Sequence, residues 1–221
     1  MQIHVINMED AVERRKYFFE QANQFSDLRD RINIFNAISR YNIDTLDKLK
    51  FKYNIKLKDN GEAGCALSHI IIIEKFIASD DDYCVIFEDD AKIINDSFLN
   101  IDKLMKEINI NTFDLMYISN RIQYNVNFVP TGGWGTEGYI VSQAGARKII
   151  DIITNGVTQY PIDHVFQGHM KLMPPNIIRE VQRRSIWLSA YRSKYPCVKH
   201  YPNGTSSIGR PEGSWLRINE K

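Results

Sequence analysis

Hydrophobic and polar positions along the first half of the chain follow two periods in turn, one typical of strands and one typical of helices. Short apolar runs predict strands over residues 3–6, 31–35, 83–87 and 113–118. Segments in which apolar residues recur every three or four positions predict helices over residues 10–24, 43–58, 62–78 and 98–108. Strands that alternate with helices favour an α/β domain with a largely parallel sheet.

The pattern changes after residue 120. Residues 124–129 alternate between polar and apolar, which predicts a half-exposed strand. A glycine-rich loop over 131–136 follows, and after it a strand over 138–141 and a helix over 143–153 are predicted. The three glycines of this loop could let backbone amides approach a phosphate or a sugar. A flexible hairpin turn is the alternative, and neither common phosphate-binding fingerprint matches the spacing.

Composition places the chain among ordinary globular proteins. Of its 221 residues, 43% are hydrophobic and 25% are charged, and the net charge of +1 gives no field that recruits nucleic acid. The three cysteines are odd in number and widely spaced, which predicts reduced residues rather than a disulfide framework. The sequence shows neither a signal peptide at its start nor an apolar run long enough to span a membrane. We therefore expect a cytoplasmic protein.

Three adjacent carboxylates, Glu88, Asp89 and Asp90, follow the predicted buried strand over 83–87. Ligands of open α/β sheets bind beyond the carboxyl ends of the strands, so these groups are expected in a binding crevice. Like charges at this spacing repel one another, and a Mg²⁺ or Mn²⁺ ion that also holds a diphosphate would neutralise them. The alternative is an acidic cap at the start of a helix.

Four blocks of the sequence resemble glycosyltransferase family 25, the bacterial lipooligosaccharide and lipopolysaccharide glycosyltransferases that include β-galactosyltransferases. The blocks occur in the order of the family, and the second has the most unusual composition. They cover residues 5–8 with 14–15, residues 61–69, residues 87–91, and residues 135–148 with 161–164.

This resemblance implies an α/β fold that is GT-A-like, with a Rossmann-type mixed sheet flanked by helices and a smaller C-terminal acceptor-side region. Residues 1–120 would form the half that binds a nucleotide sugar, and residues 121–221 the acceptor-side and C-terminal part of the same domain. The implied reaction is an inverting, metal-assisted transfer of a hexose onto a lipooligosaccharide or lipopolysaccharide saccharide. The resemblance favours UDP-galactose as the donor and galactose as the transferred sugar.

The resemblance also assigns roles to single residues. Glu88 and Asp90 are expected to bind the divalent cation, Mn²⁺ or Mg²⁺, and His164 and His200 are weaker options for a third ligand. The expected donor-binding residues are Asn7, Arg14, Ser68, His69, Asp89, Gly135 and Thr136. An ion pair within its own helix is an equally good interpretation of Arg14. A buried histidine such as His69 is more often a core residue whose hydrogen bonds are satisfied within the protein, but the match to the family motif favours a role in shaping the donor pocket.

Asp163 is the candidate general base, because an inverting transfer needs a group that removes the proton of the acceptor hydroxyl. It follows Pro161 on a predicted loop, and a helix N-cap is the alternative role. Glu137, beside the glycine-rich loop, is the rival candidate.

The segment over 179–199 carries six basic residues against one acidic residue, interleaved with aromatic rings. This composition suits an anionic membrane surface or a lipid-linked, phosphorylated saccharide, whereas nucleic acid is not expected. A solvated basic face is the ordinary alternative. The short segment over 204–208 reads as a turn and, by the resemblance, could contact donor phosphates. A non-catalytic saccharide- or nucleotide-binding module and a glycoside hydrolase with paired carboxylates remain alternative functions.

Overall fold

The computed structural model describes residues 1–26, 28–170 and 186–200. Its central element is a six-stranded sheet with the order β2-β1-β3-β8-β5-β9, and two small two-stranded sheets, β4–β10 and β6–β7, lie outside it. The strands are β1 (Gln2–Asn7), β2 (Ile32–Asn36), β3 (Tyr83–Glu88), β4 (Ala91–Ile93), β5 (Leu115–Tyr117), β6 (Gln123–Tyr124), β7 (Pro130–Gly132), β8 (Gly138–Ser142), β9 (Ala190–Arg192) and β10 (Val198–His200).

Helices connect these strands and cover both faces of the central sheet. They are α1 (Val12–Ala22), α2 (Leu28–Arg31), α3 (Ile43–Lys52), α4 (Asn60–Ile77), α5 (Ile101–Glu107), α6 (Gln143–Thr154) and α7 (Ile162–Gly168). The predicted α/β fold, with a mixed sheet flanked by helices, is confirmed at the level of these elements.

The expectation of a largely parallel sheet is wrong in its centre. β1 runs parallel to β2 and β3, and β5 runs parallel to β9, but β8 lies antiparallel between β3 and β5. The reason is that β8 begins where β3 ends, with Gly138 opposite Phe87. The loop before β8 therefore lies at the edge of the sheet where the parallel strands end.

Alternate residues of β3 pack into two separate cores, as the period of a strand requires. Cys84 and Ile86 join the core beneath α4 and α6, whereas Val85 and Phe87 join the core beneath α1 and α5. Helix α4 is apolar on nearly all sides, and ten of its residues are accordingly buried. This long buried helix fixes the position of any side chain that projects from its first turns.

Several predicted boundaries are corrected. α3 ends at Lys52 rather than at residue 58, because Asn54 takes a positive φ of 50° and the Ile55 amide bonds back to Lys50 O at 2.8 Å. The predicted helix over 98–108 is divided, since Asn100 caps α5 with its side chain.

The predicted strand over 124–129 is mostly a turn. The Asn125 side chain accepts hydrogen bonds from the amides of Asn127 and Val129, and Phe128 has a φ of 60°. Local hydrogen bonding by an asparagine side chain therefore competes successfully with strand pairing in this segment.

The three cysteines are free thiols, as predicted, with Cys84 and Cys197 buried and Cys65 partly buried. Within the described ranges, none of the helices combines the length and the apolar character that crossing a membrane requires.

Candidate active site

The carboxyl ends of β1 and β3 bring the acidic triplet together with the N-terminal block. Asp89 is buried and accepts a hydrogen bond from the Asn7 amide at 2.6 Å. The Arg14 guanidinium forms an ion pair with Asp89 and lies 3.7 Å from Asp90 Oδ2. Burial raises the pKa of Asp89, and the charge of Arg14 and the Asn7 hydrogen bond oppose that shift. The Arg14 guanidinium therefore contacts two carboxylates of the acidic triplet.

Of the three acids, Asp90 experiences the strongest repulsion from neighbouring carboxylates. Burial and the charge of Glu88 raise the pKa of Asp90. Its Oδ2 atom lies 3.6 Å from His200 Nδ1, because β10 pairs with β4 and puts His200 opposite Ala91. Asp90 Oδ1 is buried and makes no hydrogen bond to any described residue. The structure thus brings His200, but not His164, to the acidic triplet.

Glu88 faces α4 and the glycine-rich loop. Its Oε1 atom accepts a hydrogen bond from the Thr136 hydroxyl and lies 3.4 Å from Nε2 of the fully buried His69. Burial acts to raise the pKa of Glu88, but the neighbouring His69 and the hydrogen bond from the Thr136 hydroxyl outweigh it and lower the pKa. Glu88 therefore carries its charge in this site.

The glycine-rich loop is held against the sheet by helix α7. Asp163 Oδ2 accepts a hydrogen bond from the Gly135 amide at 3.2 Å, and the Gln167 side chain donates to Gly133 O at 2.5 Å. Gly133 and Gly135 have φ values of 92° and 121°, which residues other than glycine rarely adopt. The loop is therefore bonded to α7 at two points, and its backbone conformation favours glycine at two positions.

Asp163 differs from both predicted environments. It lies in the first turn of α7 rather than on a loop, and the N-cap of that helix is Pro161. Its Oδ1 atom accepts a hydrogen bond from the His164 amide at 2.9 Å. Burial raises the pKa of Asp163, and the neighbouring His164 opposes the shift.

Glu137 is almost fully buried beside the same loop. Its Oε1 atom accepts a hydrogen bond from the Ser119 hydroxyl, and its Oε2 atom lies 3.8 Å from the Arg121 guanidinium. Burial raises the pKa of Glu137, and Arg121 opposes that shift. Ser119 and Arg121 escaped the sequence analysis, because only the proximity of β5 and β8 in the sheet connects them to Glu137.

Ser68, on α4, connects this helix to the loop after β2. Its hydroxyl donates to Gly64 O at 2.7 Å and accepts from the Ile38 amide at 2.9 Å, which ties the loop after β2 to α4. This loop and the start of α4 enclose a cleft that reaches Glu88 and Asp89. The cleft is lined by Ile6, Met8, Ala37, Ile38, Arg40, Gly61, Cys65, Glu88 and Asp89.

The basic segment is only partly within the described residues. Arg192 is buried, and its guanidinium stacks 4.5 Å above the ring of Tyr124. Lys194 lies close to the exposed ring of Tyr195. Arg179, Arg183 and Arg184, and the segment over 204–208, lie outside the described residues.

Comparison with known proteins gives a family match over most of the chain. The profile of glycosyltransferase family 25 (LPS biosynthesis protein) matches residues 1–166. The lipooligosaccharide biosynthesis protein lex-1 of Haemophilus influenzae is 25% identical over 194 residues, 68% of this chain and 63% of that protein. A putative glycosyltransferase of the same organism is 25% identical over 193 residues, 80% of this chain and 66% of that protein. The chain thus spans somewhat less than two thirds of these relatives.

Two further similarities are weaker. The human inactive glycosyltransferase 25 family member 3 is 26% identical over 127 residues, 52% of this chain and 21% of that protein. A crystal structure of Drosophila β-1,4-galactosyltransferase 7 with manganese, UDP-Gal and xylobiose aligns with a TM-score of 0.47 and 13% identity. That alignment covers all of this chain and 79% of the other.

Proposed function

The chain belongs to glycosyltransferase family 25, and on that premise we propose that it transfers a hexose from a nucleotide sugar to a saccharide acceptor. The proposed donor is UDP-galactose, and the proposed acceptor is the saccharide of lipooligosaccharide or lipopolysaccharide. The observation that carries the proposal is the convergence of Glu88, Asp90 and His200 at the edge of the sheet, beside an open cleft. Nucleotide ligands of open α/β sheets bind at this edge.

A divalent cation, Mn²⁺ or Mg²⁺, fits the chemistry of these residues. Asp90 Oδ1 makes no hydrogen bond to any described group. The negative charge of Glu88 makes ionisation of Asp90 less favourable, and a bound cation would offset that repulsion. Glu88 and Asp90 would bind the cation, and His200 is the third candidate ligand. The bound cation supplies stabilisation of the negative charge that develops on the leaving nucleoside diphosphate.

The remaining donor contacts are proposed along the cleft. Ser68 and His69 support its wall from α4, and Asn7 and Arg14 fix Asp89 at its floor. The Gly135 amide, which donates to Asp163, and the Thr136 hydroxyl, which donates to Glu88, are proposed to contact the sugar or the phosphates of the donor.

Asp163 is proposed as the general base for an inverting transfer, with Glu137 as the alternative. Both carboxylates lie beside the glycine-rich loop, and burial raises the pKa of each, which makes the ionised carboxylate a stronger proton acceptor. Asp163 is preferred because its carboxylate is partly exposed, whereas Glu137 is 1% exposed and bound to Ser119.

If the acceptor is lipid-linked, the transfer takes place at the inner face of the cytoplasmic membrane. We therefore include peripheral contact of the chain with anionic lipid in the proposal. Lys194 and Tyr195 suit such contact, whereas the buried Arg192 does not. No nucleic-acid partner is proposed, since the net charge is only +1.

A transfer assay tests this function. The full chain is incubated with Mn²⁺, a UDP-hexose and lipooligosaccharide that lacks its outer sugars, and the acceptor is analysed for the mass gain of one hexose. The proposal predicts that gain with UDP-galactose and its loss in Asp90→Asn. Donor binding without transfer to any acceptor would favour a binding module, and cleavage of a glycoside without nucleotide would favour a hydrolase.

A further inference from the structure

Cys65 and His69 lie four residues apart in α4, so both side chains project from the same face of the helix. That face is directed towards Glu88 at the end of β3. One potential ligand atom from each residue, the thiol sulfur, an imidazole nitrogen and a carboxylate oxygen, lies within 4.8 Å of the other two. Three different ligating groups therefore converge where α4 meets the sheet.

The distances suit one small cation. Ligand atoms bound to a tetrahedral zinc ion at about 2.0–2.3 Å lie roughly 3.5 Å apart. The His69 Nε2 and Glu88 Oε1 atoms are 3.4 Å apart, which already matches this spacing. The thiol sulfur lies within 4.8 Å of the other two ligand atoms, so a shift of roughly 1.3 Å or less would complete the set.

The surroundings of His69 point to a ligand rather than to an inert core histidine. The ring is fully buried, and its Nδ1 atom is bonded to the Tyr139 hydroxyl at 2.9 Å. Its Nε2 atom is buried and makes no well-aligned hydrogen bond to any described group. A histidine that is held through one nitrogen and presents the other is the usual arrangement of a metal-binding histidine.

We propose that Cys65, His69 and Glu88 form a site for a zinc-like transition metal, separate from the Mg²⁺ or Mn²⁺ proposed at Asp90. Thiolate and imidazole ligands select zinc, cobalt or iron over magnesium. Glu88 borders both sites, and the Thr136 hydroxyl orients its Oε1 atom. Three protein ligands leave a fourth position for water or a substrate oxygen. The site is defined by the side chains alone and does not depend on transferase activity.

Charge also favours a cation here. The carboxylates of Glu88, Asp163 and Asp90 lie close enough to the Cys65 thiol to act on it electrostatically. The same carboxylates attract a divalent ion, which would displace the thiol proton on binding.

Cobalt(II) titration tests the site, because only a cysteine ligand produces a thiolate-to-cobalt charge-transfer band in the near ultraviolet. The metal-stripped full chain is titrated under reducing, anaerobic conditions. The proposal predicts the band at one equivalent of Co²⁺, its removal by Zn²⁺, and its persistence in excess Mg²⁺. The chain has three cysteines, so the contributing residue can be assigned.

Cys65→Ser should lose the band, and His69→Gln should weaken Co²⁺ binding by at least about tenfold. Cys197→Ser is the matched control, since Cys197 is buried in the opposite core and should leave the band unchanged. Circular dichroism confirms that each variant is folded. A folded wild-type chain without the band, or a folded Cys65→Ser variant that keeps it, overturns the proposal. Either result leaves the transfer assay unaffected, because that assay uses Mn²⁺.

Discussion

Asp163 accepts a hydrogen bond at 3.2 Å from the backbone amide of Gly135, a residue 28 positions earlier in the chain. This contact joins the first turn of α7 to the glycine-rich loop that carries Thr136 and Glu137. The carboxylate is therefore placed beside the loop by a bond to the loop itself. The proposed base is therefore bonded directly to the proposed donor-binding loop.

Asp163→Asn separates these two roles. The asparagine side-chain oxygen can still accept from the Gly135 amide, and only the bond from the His164 amide within α7 is lost, so we expect the loop and the affinity for the donor to be preserved. Transfer should fall by about 10²- to 10⁴-fold, the usual contribution of a general base. Calorimetry measures donor affinity and release of UDP measures turnover, with Glu137→Gln as the comparison. If Asp163→Asn stays active while Glu137→Gln does not, the base is Glu137.

The pH profile gives an independent check on Asp163. Burial raises the pKa of this carboxyl, and a base works only when ionised. Activity should therefore be lost as the pH falls through a value above about 3.9, the ordinary pKa of aspartate. The profile of kcat/KM at saturating Mn²⁺ measures this limb, and the residual rate of Asp163→Asn should lack it. The same acidic limb in that variant would contradict the assignment.

Gly135→Ala should distort the loop. The φ of 121° is unfavourable for alanine, and the new methyl group would lie 2.3 Å from Glu137 Oε2. Strain of this kind costs about 1–3 kcal/mol, which lowers the melting temperature by about 2–4 °C per kcal/mol. Transfer should fall sharply, because the distorted loop displaces the Gly135 amide that holds Asp163.

Gly132→Ala is the matched control in the same loop. Its methyl group would meet only the flexible end of Gln123, at 3.0 Å, so melting and transfer should stay near those of the wild type. Equal melting temperatures and transfer rates in the two variants would show that the conformation of the loop is not needed for stability or transfer.

Ser68→Ala should weaken donor binding from behind the cleft. It leaves the Ile38 amide without its partner, which costs about 1–3 kcal/mol and loosens the loop that lines the cleft. Ser79→Ala removes a hydroxyl that bonds to Phe76 O at the far end of α4 and serves as the control. Both variants should melt earlier, but only Ser68→Ala should raise the dissociation constant of the donor. Unchanged donor affinity in Ser68→Ala would place the donor elsewhere.

The sequence predicted the elements that have a strong local pattern. β1, β3 and α4 follow from apolar periodicity, and the acidic triplet follows from its position after a buried strand. The end of α3 and the turn after Tyr124 were missed because single asparagine residues, Asn54 and Asn125, override the periodicity. The direction of β8 was missed because pairing between distant strands leaves no local trace.

The sequence supplied candidate residues for the site but not their contacts. The resemblance names Glu88, Asp90 and Asp163 as candidates, but the contact of His200 with Asp90 depends on the pairing of β10 with β4. Ser119 and Arg121 bond to or face Glu137 only because β5 and β8 are adjacent. Such contacts are set by tertiary structure and cannot be read from spacing.

The most direct test of the central claim is a calorimetric titration of the full chain with UDP-galactose, with and without Mn²⁺. Glu88 and Asp90 are proposed to hold the diphosphate through the cation, so binding should require Mn²⁺ and should be lost in a folded Asp90→Asn variant. UDP-galactose that binds equally well without metal, or a folded wild-type chain that binds no nucleotide sugar at all, would contradict the account.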